Sequence, residues 1–308
     1  VASRSITLDR GDVGTRLDRV LLRHLRNVPG ISRNRLQRLI DAGAVLVNGK
    51  RAPRVSWRLA PGDRLTIELP DRAPRQRPTP EDLPLTVVYE DDDLIAVNKP
   101  AGQVAHPAFK NTTGTLLNAL LAYANDRWTP SLVNRLDKGT SGLVLVAKRA
   151  DAHRALQRAV ERGEVDKDYL AIVRGRPTPK RGLIDLALDR DPWDRRRVMV
   201  RDRGGQPSVT HYERLATSSD GTLSLVRCRL ITGRTHQLRV HLAARKWPIV
   251  GDVVYGVKDA RLTRQALHAW RLGCDHPRTK EHLVLTAPIP TDLNALLRSA
   301  FPLSVLSS

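Results

Sequence analysis

The sequence predicts an α+β protein in two parts: a small, basic helix-helix-strand domain, then a mixed, mainly antiparallel β-sheet domain with flanking helices. Three observations predict it. The chain has 308 residues, which at roughly 100 to 200 residues per domain is enough for two buried cores. A proline-rich run, RAPRQRPTPEDLP over Arg72 to Pro84, separates two apolar-patterned stretches and suits an extended connector. Behind it, short β-rich runs alternate with helical ones. The expected organisation is a domain over 1–70, a linker over 71–83 and a domain over 84–308.

In the first domain Leu17, Leu21, Leu25 and Val28 recur at helical spacing. A second helix follows Ser32 as its cap and turns Leu36, Leu39 and Ile40 inward. Ala44 to Val47, the Asn48-Gly49 turn and Arg64 to Leu69 carry strand and hairpin signals. In the second domain Leu85 to Tyr89 and Leu94 to Val97 flank an acidic turn and read as a strand pair at a sheet edge. Gly142 to Val146, Tyr169 to Val173 and Leu223 to Leu230 are further strands. Asp151 to Arg162 and Thr235 to Ala244 read as helices, the latter capped by Thr235. No internal repeat interrupts this order.

Composition narrows the partners. With 52 basic and 32 acidic residues the formal charge is +20, which points to a polyanion. Residues 1–70 carry 14 Lys/Arg against 6 Asp/Glu, so the front domain is the more densely basic. Arg16, Arg19, Arg33, Arg35 and Arg38 fall mostly on the helix faces left over by the apolar stripe; they form either a binding surface or a solvated face. No stretch approaches the ~20 apolar residues needed to cross a bilayer, and Val1 to Arg10 lacks the apolar core of a secretory signal. The expectation is a soluble, cytoplasmic chain with no membrane partner. Cys228 and Cys274 are too few and too far apart for a disulfide framework or a metal knuckle.

The chemistry-bearing segments are found partly by elimination. There is no phosphate-binding loop, dinucleotide fingerprint or His-Glu-x-x-His pair. His236 and His241, five apart on a helical stretch, diverge, so no metal is expected. In Ser131 to Lys148 (SLVNRLDKGTSGLVLVAK) a single acid, Asp137, sits between Arg135 and Lys138 just before an apolar strand. It is a reactive carboxylate or a turn aspartate bonded to its own backbone. In Ile231 to Gly256, Arg234 at the entry of a helix could reach an acid or a phosphate, or lie on the surface. Tyr169, flanked by charge, is a core aromatic or a flat face for a ligand.

Two resemblances bear on these choices. Gly14 to Asp18, Ser32-Arg33, Gln37, Gly43 and Val47 to Lys50 resemble the small RNA-binding domain of a small-subunit ribosomal protein and of many RNA-modifying enzymes. That implies RNA binding through the second helix. Val88 to Pro107 (VYEDDDLIAVNKPAGQVAHP), Asn134 to Gly142 (NRLDKGTSG), Lys167 to Gly175 (KDYLAIVRG), Thr232 to Leu242 (TGRTHQLRVHL), Pro248 to Gly256 (PIVGDVVYG) and Leu267-His268-Ala269 with His276-Pro277 resemble, in order, the RluA-type family of pseudouridine synthases. The flanking runs HPAFKNTTGTLLNALL and GGQPSVTHYERL are similar to the branch of that family acting on large-subunit ribosomal RNA.

The resemblance implies isomerisation of uridine to pseudouridine in structured RNA, most often large-subunit ribosomal RNA or its precursor, with no cofactor required; nothing in the sequence demands a metal or more than a monomer. A flipped-out uridine would lose its N1 to C1′ bond, turn and rejoin through C5. Asp137 would be the nucleophile at C1′ or the base at C2′. Arg234 would keep that carboxylate ionised, Tyr169 would stack on the uracil and assist loss of the C5 proton, and Arg135 would fill the gap or hold a phosphate. One position departs from the family: its loop commonly begins with histidine, and here Asn134 stands there. An amide cannot titrate near neutrality, so the residue is read as orienting the loop. The alternatives are a non-catalytic RNA-binding or ribosome-assembly protein, a synthase acting on transfer RNA, or, on charge alone, a DNA-binding regulator.

Overall fold

The computed structural model describes residues 2–28, 30–69, 78–107, 111–194 and 196–302. The chain divides into two compact units, Val1–Arg77 and Pro78–Ser308. Of the connector expected over 71–83, residues 71–77 lie outside the described residues. The rest groups with the second unit, where Glu81 accepts a hydrogen bond from the Gly114 N–H.

In the first unit the order is β1 (Ala2–Thr7), α1 (Leu17–His24), α2 (Arg33–Asp41), β2 (Val45–Val47), β3 (Lys50–Arg51) and β4 (Arg64–Leu69). The strands form one antiparallel sheet in the order β1-β4-β2-β3. Leu17, Leu21 and Leu25 meet Leu36, Leu39 and Ile40 over Val45, Leu65 and Ile67, so the two helical stripes read from spacing do form the core. Val28 packs on this core from beyond the end of α1. The Ser32 hydroxyl accepts from the Arg35 N–H at 3.3 Å, capping α2. Asn48 and Gly49 both have positive φ, 53° and 77°, as a two-residue hairpin turn requires.

The second unit runs β5 (Val87–Glu90), β6 (Leu94–Lys99), α3 (Leu116–Ala124), β7 (Ser131–Leu132), β8 (Ser141–Ala147), α4 (Ala150–Arg162), β9 (Asp166–Arg174), β10 (Arg181–Asp185), β11 (Leu188–Arg190), β12 (Val198–Val200), β13 (Val209–Thr217), β14 (Leu223–Leu230), α5 (Gln237–Ala244), β15 (Leu267–Asp275), β16 (His282–Thr286) and α6 (Thr291–Ala300). Its main sheet has the order β10-β13-β14-β9-β15-β8-β6-β5, with β16 on β15 and β7 on β8. Among the described pairs of this sheet only β15 and β8 run parallel, so the sheet is mixed and mainly antiparallel. β5, read as half of an edge pair, is the terminal strand.

Strand β8 shows why both faces are covered. Val144 and Val146 join the cluster that holds Leu116 and Leu120 of α3, whereas Leu143, Leu145 and Ala147 join the one that holds Ala152 and Leu156 of α4. All seven β8 residues are buried. At its start, Gly142 lets β8 approach β15: a Cβ there would stand 2.2 Å from the Ala269 carbonyl oxygen. This contact brings the loop ahead of β8 beside β15 and β9.

The helix expected to be capped by Thr235 starts later. Its cap is His236, in the left-handed region at φ 55°, and α5 begins at Gln237. The Gln237 side chain is the reason. Its Oε1 accepts from Thr232 Oγ1 and the Arg234 N–H, at 2.8 and 3.0 Å, and its Nε2 donates to the Val209 carbonyl, closing 232–236 into a tight loop.

Candidate active site

The sequence places Asp137 in the loop between β7 and β8, and the loop is fixed at its entry by Asn134. That amide uses both ends on β8: Nδ2 donates to the Leu143 carbonyl at 3.1 Å and Oδ1 accepts from the Leu145 N–H at 2.7 Å. The following residues alternate, with Arg135 exposed, Leu136 buried and the Asp137 side chain partly covered. The Thr140 N–H closes the turn onto the Asp137 carbonyl at 3.0 Å.

Asp137 opens onto a cleft of about 560 Å³ walled by β9, β14, β15, α5 and the 232–236 loop. The walls are apolar at Leu136, Leu230, Leu267 and Leu272 and polar at Lys167, Tyr169 and Arg239. Tyr169 is buried, and its hydroxyl makes no hydrogen bond among the described residues. Burial, helped by the charge of Asp137, pushes that hydroxyl far above the usual phenol range, so it stays protonated and cannot by itself act as a base.

The guanidinium beside Asp137 is that of Arg239, not Arg234. Arg239 Nη1 donates to Asp137 Oδ2 at 3.1 Å while Nε and Nη2 fork onto Asp252 at 2.6 and 2.9 Å. Asp252, whose side chain is 1% exposed, also accepts from the N–H groups of Val254 and Tyr255. Burial alone would raise its pKa, but the Arg239 hydrogen bonds and charge, with those two N–H groups, hold it below the usual carboxylate range. Arg234 belongs to the loop that Gln237 closes. It is exposed, donates through Nε to the Pro207 carbonyl at 3.3 Å and lines the cleft without reaching Asp137.

A second arm reaches the carboxylate from His236. Its Nε2 stands 3.8 Å from Asp137 Oδ2 and its Nδ1 is 2.8 Å from the Tyr255 hydroxyl oxygen. That oxygen also accepts from the Val198 N–H at 2.8 Å, which fixes the Tyr255 hydroxyl beside the ring. Burial lowers the His236 pKa against the pull of Asp137. The Tyr255 ring lies against Arg239, 5.0 Å from ring centre to guanidinium carbon, so one aromatic supports both groups that face the carboxylate.

Lys99 is a further charge that Asp137 influences. Fully buried, its Nζ donates to the Pro100 and Gln103 carbonyls at 2.7 and 2.8 Å and more weakly to that of Lys138, tying the turn after β6 to the Asp137 loop. Burial pushes its pKa down to about 7, opposed by the charge of Asp137.

In the first unit, Arg16 and Arg33 both donate to the buried carboxylate of Asp18, at 3.0 and 3.1 Å, which orients two of the expected binding arginines side by side. Arg19 and Arg38 are exposed, Arg38 donating through Nε to the Asn34 carbonyl, and Arg35 contributes its N–H to the Ser32 cap.

The chain is similar to known proteins along most of its length. Residues 93–244 match the family model described as RNA pseudouridylate synthase, and residues 15–65 match the S4 domain. An uncharacterized RNA pseudouridine synthase of Bacillus subtilis is 40% identical over 87% of this chain and 89% of its own length. The chain belongs to the RNA pseudouridine synthase family. A ribosomal large subunit pseudouridine synthase D of Neisseria meningitidis is 41% identical over 92% of this synthase and 78% of the relative. A solved structure, human RNA pseudouridylate synthase domain containing 1, aligns with a TM-score of 0.57 at 30% identity, over 67% of this chain and 84% of that one.

The structure thus brings together Asp137, Tyr169, Arg135 and Arg234 on one cleft. The residues that sequence reasoning missed are Arg239, Asp252, His236 with Tyr255, and Lys167. Arg239 and Asp252 stand inside segments singled out for other residues. The signal for Lys167 was its spacing of two from Tyr169 on a strand, which puts both on one face.

Proposed function

We propose that this synthase converts uridine to pseudouridine in large-subunit ribosomal RNA, with Asp137 as the group that opens the reaction. The observation that carries this reading is the Asp137 carboxylate held by Arg239 at 3.1 Å on the wall of a cleft that also holds Tyr169. A flipped uridine laid on Tyr169 presents its sugar to Asp137. The carboxylate attacks C1′ or removes the C2′ proton, and either step breaks the N1 to C1′ bond. The bond's electron pair leaves with the uracil, which turns in the cleft; C5 then bonds to C1′ as the aspartyl ester's C–O bond returns its pair to Asp137, or, in the second route, as C2′ takes back the proton held by Asp137. The C5 proton passes to water and N1 takes one up, so no external reactant is consumed. The ring face of Tyr169 contributes stacking of roughly 1 to 3 kcal/mol. Its hydroxyl, kept protonated, serves as a hydrogen-bond partner and not as the base for C5.

Arg135 and Arg234, exposed on the rim, are positioned for the gap left by the flipped nucleotide or for flanking phosphates. The Asp18-oriented arginines and the +20 charge supply sequence-independent RNA affinity. Relatives named as ribosomal large subunit pseudouridine synthases support that substrate, and a cytoplasmic location goes with it in this reading. Asn134, with both amide ends on β8, supports an active loop over a non-catalytic RNA-binding protein. Position-resolved pseudouridine mapping of ribosomal and transfer RNA from a strain lacking this protein tests the proposal: missing sites in the large-subunit RNA are expected, and an unchanged ribosomal map overturns it.

A further inference from the structure

Lys167 stands inside the cleft without a counter-ion. It is 8% exposed, lines the same walls as Asp137 and Tyr169, and its amine makes no hydrogen bond or ion pair among the described residues. Its neighbours in sequence do not neutralise it. Asp168 is forked onto Arg229 at 2.9 and 3.0 Å and Asp166 stands 3.4 Å from the same arginine, so both acids are spent on the opposite face of β9. Alternation along β9 turns Lys167 and Tyr169 inward together. Across the cleft the chain offers Gly233: a Cβ placed there would lie 3.8 Å from Nζ, so the absence of a side chain leaves room above the amine.

The Lys167 amine opens onto the cleft with no protein acid facing it among the described residues, and its partial enclosure lowers its affinity for a proton. Such a group gains most from an anion that arrives in the cleft. The other buried cation that lines the cleft among the described residues, Arg239, is already committed to Asp137 and Asp252. The reaction read above creates one anion, because breaking the N1 to C1′ bond leaves the electron pair on uracil, spread over N1 and the two ring carbonyls.

We propose that Lys167 is a catalytic residue whose ammonium is the counter-ion of the detached uracil, stabilising it until C5 meets C1′. This rests on the proposed isomerisation and adds the group that carries the charge of its intermediate. No proton need move: the ammonium attracts the anion as it forms and releases it when the new carbon-carbon bond returns the electron pair to C1′.

The test uses the full-length protein and a large-subunit ribosomal RNA fragment, with Lys167→Met, Lys167→Gln and Lys167→Arg. Single-turnover rates at saturating RNA, RNA affinity by filter binding and thermal melts are read for each. The Met and Gln variants are expected to lose about 100-fold or more in rate, with affinity within about threefold of wild type and Arg recovering at least about tenfold. With 5-fluorouridine at the target, whose detached base is the weaker base, loss of the N-glycosidic nucleoside should depend less on Lys167. A folded Met or Gln variant within about threefold of the wild-type rate overturns the proposal. So does a loss confined to affinity, which would assign Lys167 to a phosphate. Turnover by wild type with no loss in the variants sinks Lys167 alone, whereas no turnover by wild type sinks the proposed function and Lys167 with it.

Discussion

Arg239 spans two carboxylates: its Nε and Nη2 clamp the buried Asp252, and the remaining edge of the same guanidinium reaches Asp137 at 3.1 Å. Asp252 thereby aims the cation, and the cation holds Asp137 where the ribose is expected.

Removing the cation leaves Asp252 enclosed with an uncompensated charge. Arg239→Ala should therefore destabilise the protein by about 3 to 5 kcal/mol and abolish pseudouridine formation. Arg239→Lys, a single point charge in place of a fork, should restore part of the stability and little of the rate. Urea melts and single-turnover assays on the same preparations check both. Arg234→Ala, by contrast, should leave the melt within about 0.5 kcal/mol of wild type, since the only hydrogen-bond partner of its side chain among the described residues is an exposed carbonyl.

Asn134 fixes the Asp137 loop through two hydrogen bonds to β8, and Asn134→Ala strips both. A loss of about 1 to 3 kcal/mol is expected from the backbone groups left unsatisfied, with a slower rate at saturating RNA. Equal stability of the two proteins in chemical denaturation would show that the amide does not anchor the loop.

Lys99 makes stability depend on pH. Its pKa is about 7 in the folded chain and ordinarily 10.5, so between those values the unfolded chain binds more protons than the folded one. Its contribution to stability therefore rises as pH climbs from about 7 toward 10.5, by at most about 1.4 kcal/mol per unit, and is lowest below pH 7. Lys99→Met should flatten that rise, which denaturant melts across pH 7 to 10 would detect as a reduced difference from wild type on the acid side.

The arginines of the first unit should act through charge. Replacing Arg19 and Arg38 by alanine is expected to weaken RNA binding and to reduce the slope of log affinity against log salt by about 2. Titrations at several salt concentrations measure it. An unchanged slope would mean that neither side chain meets a phosphate.

Much of this architecture was legible from local pattern. Strands β4 and β14 were bounded at their observed ends because their runs are apolar, β-rich and punctuated by turns. Strand β1, mostly polar ASRSIT, was not, since its reason to extend is its pairing with distant β4. The same holds for β13, which is half-buried along its length. Asp137 and Tyr169 could be named from their motifs, but the choice between Arg234 and Arg239 could not. It turns on where α5 begins. A helix capped by Thr235 would set Arg234 at its mouth, whereas the Gln237 hydrogen bonds delay the helix and put Arg239 in its first turn. Those bonds join residues whose proximity no spacing rule reveals.

The most direct test of the central claim is single-turnover pseudouridine formation by Asp137→Asn on large-subunit ribosomal RNA, mapped site by site. The substitution keeps the size of the side chain and removes its charge. The account predicts no product above that of RNA alone, with RNA still bound. Pseudouridine at the wild-type sites and at the wild-type rate would contradict it.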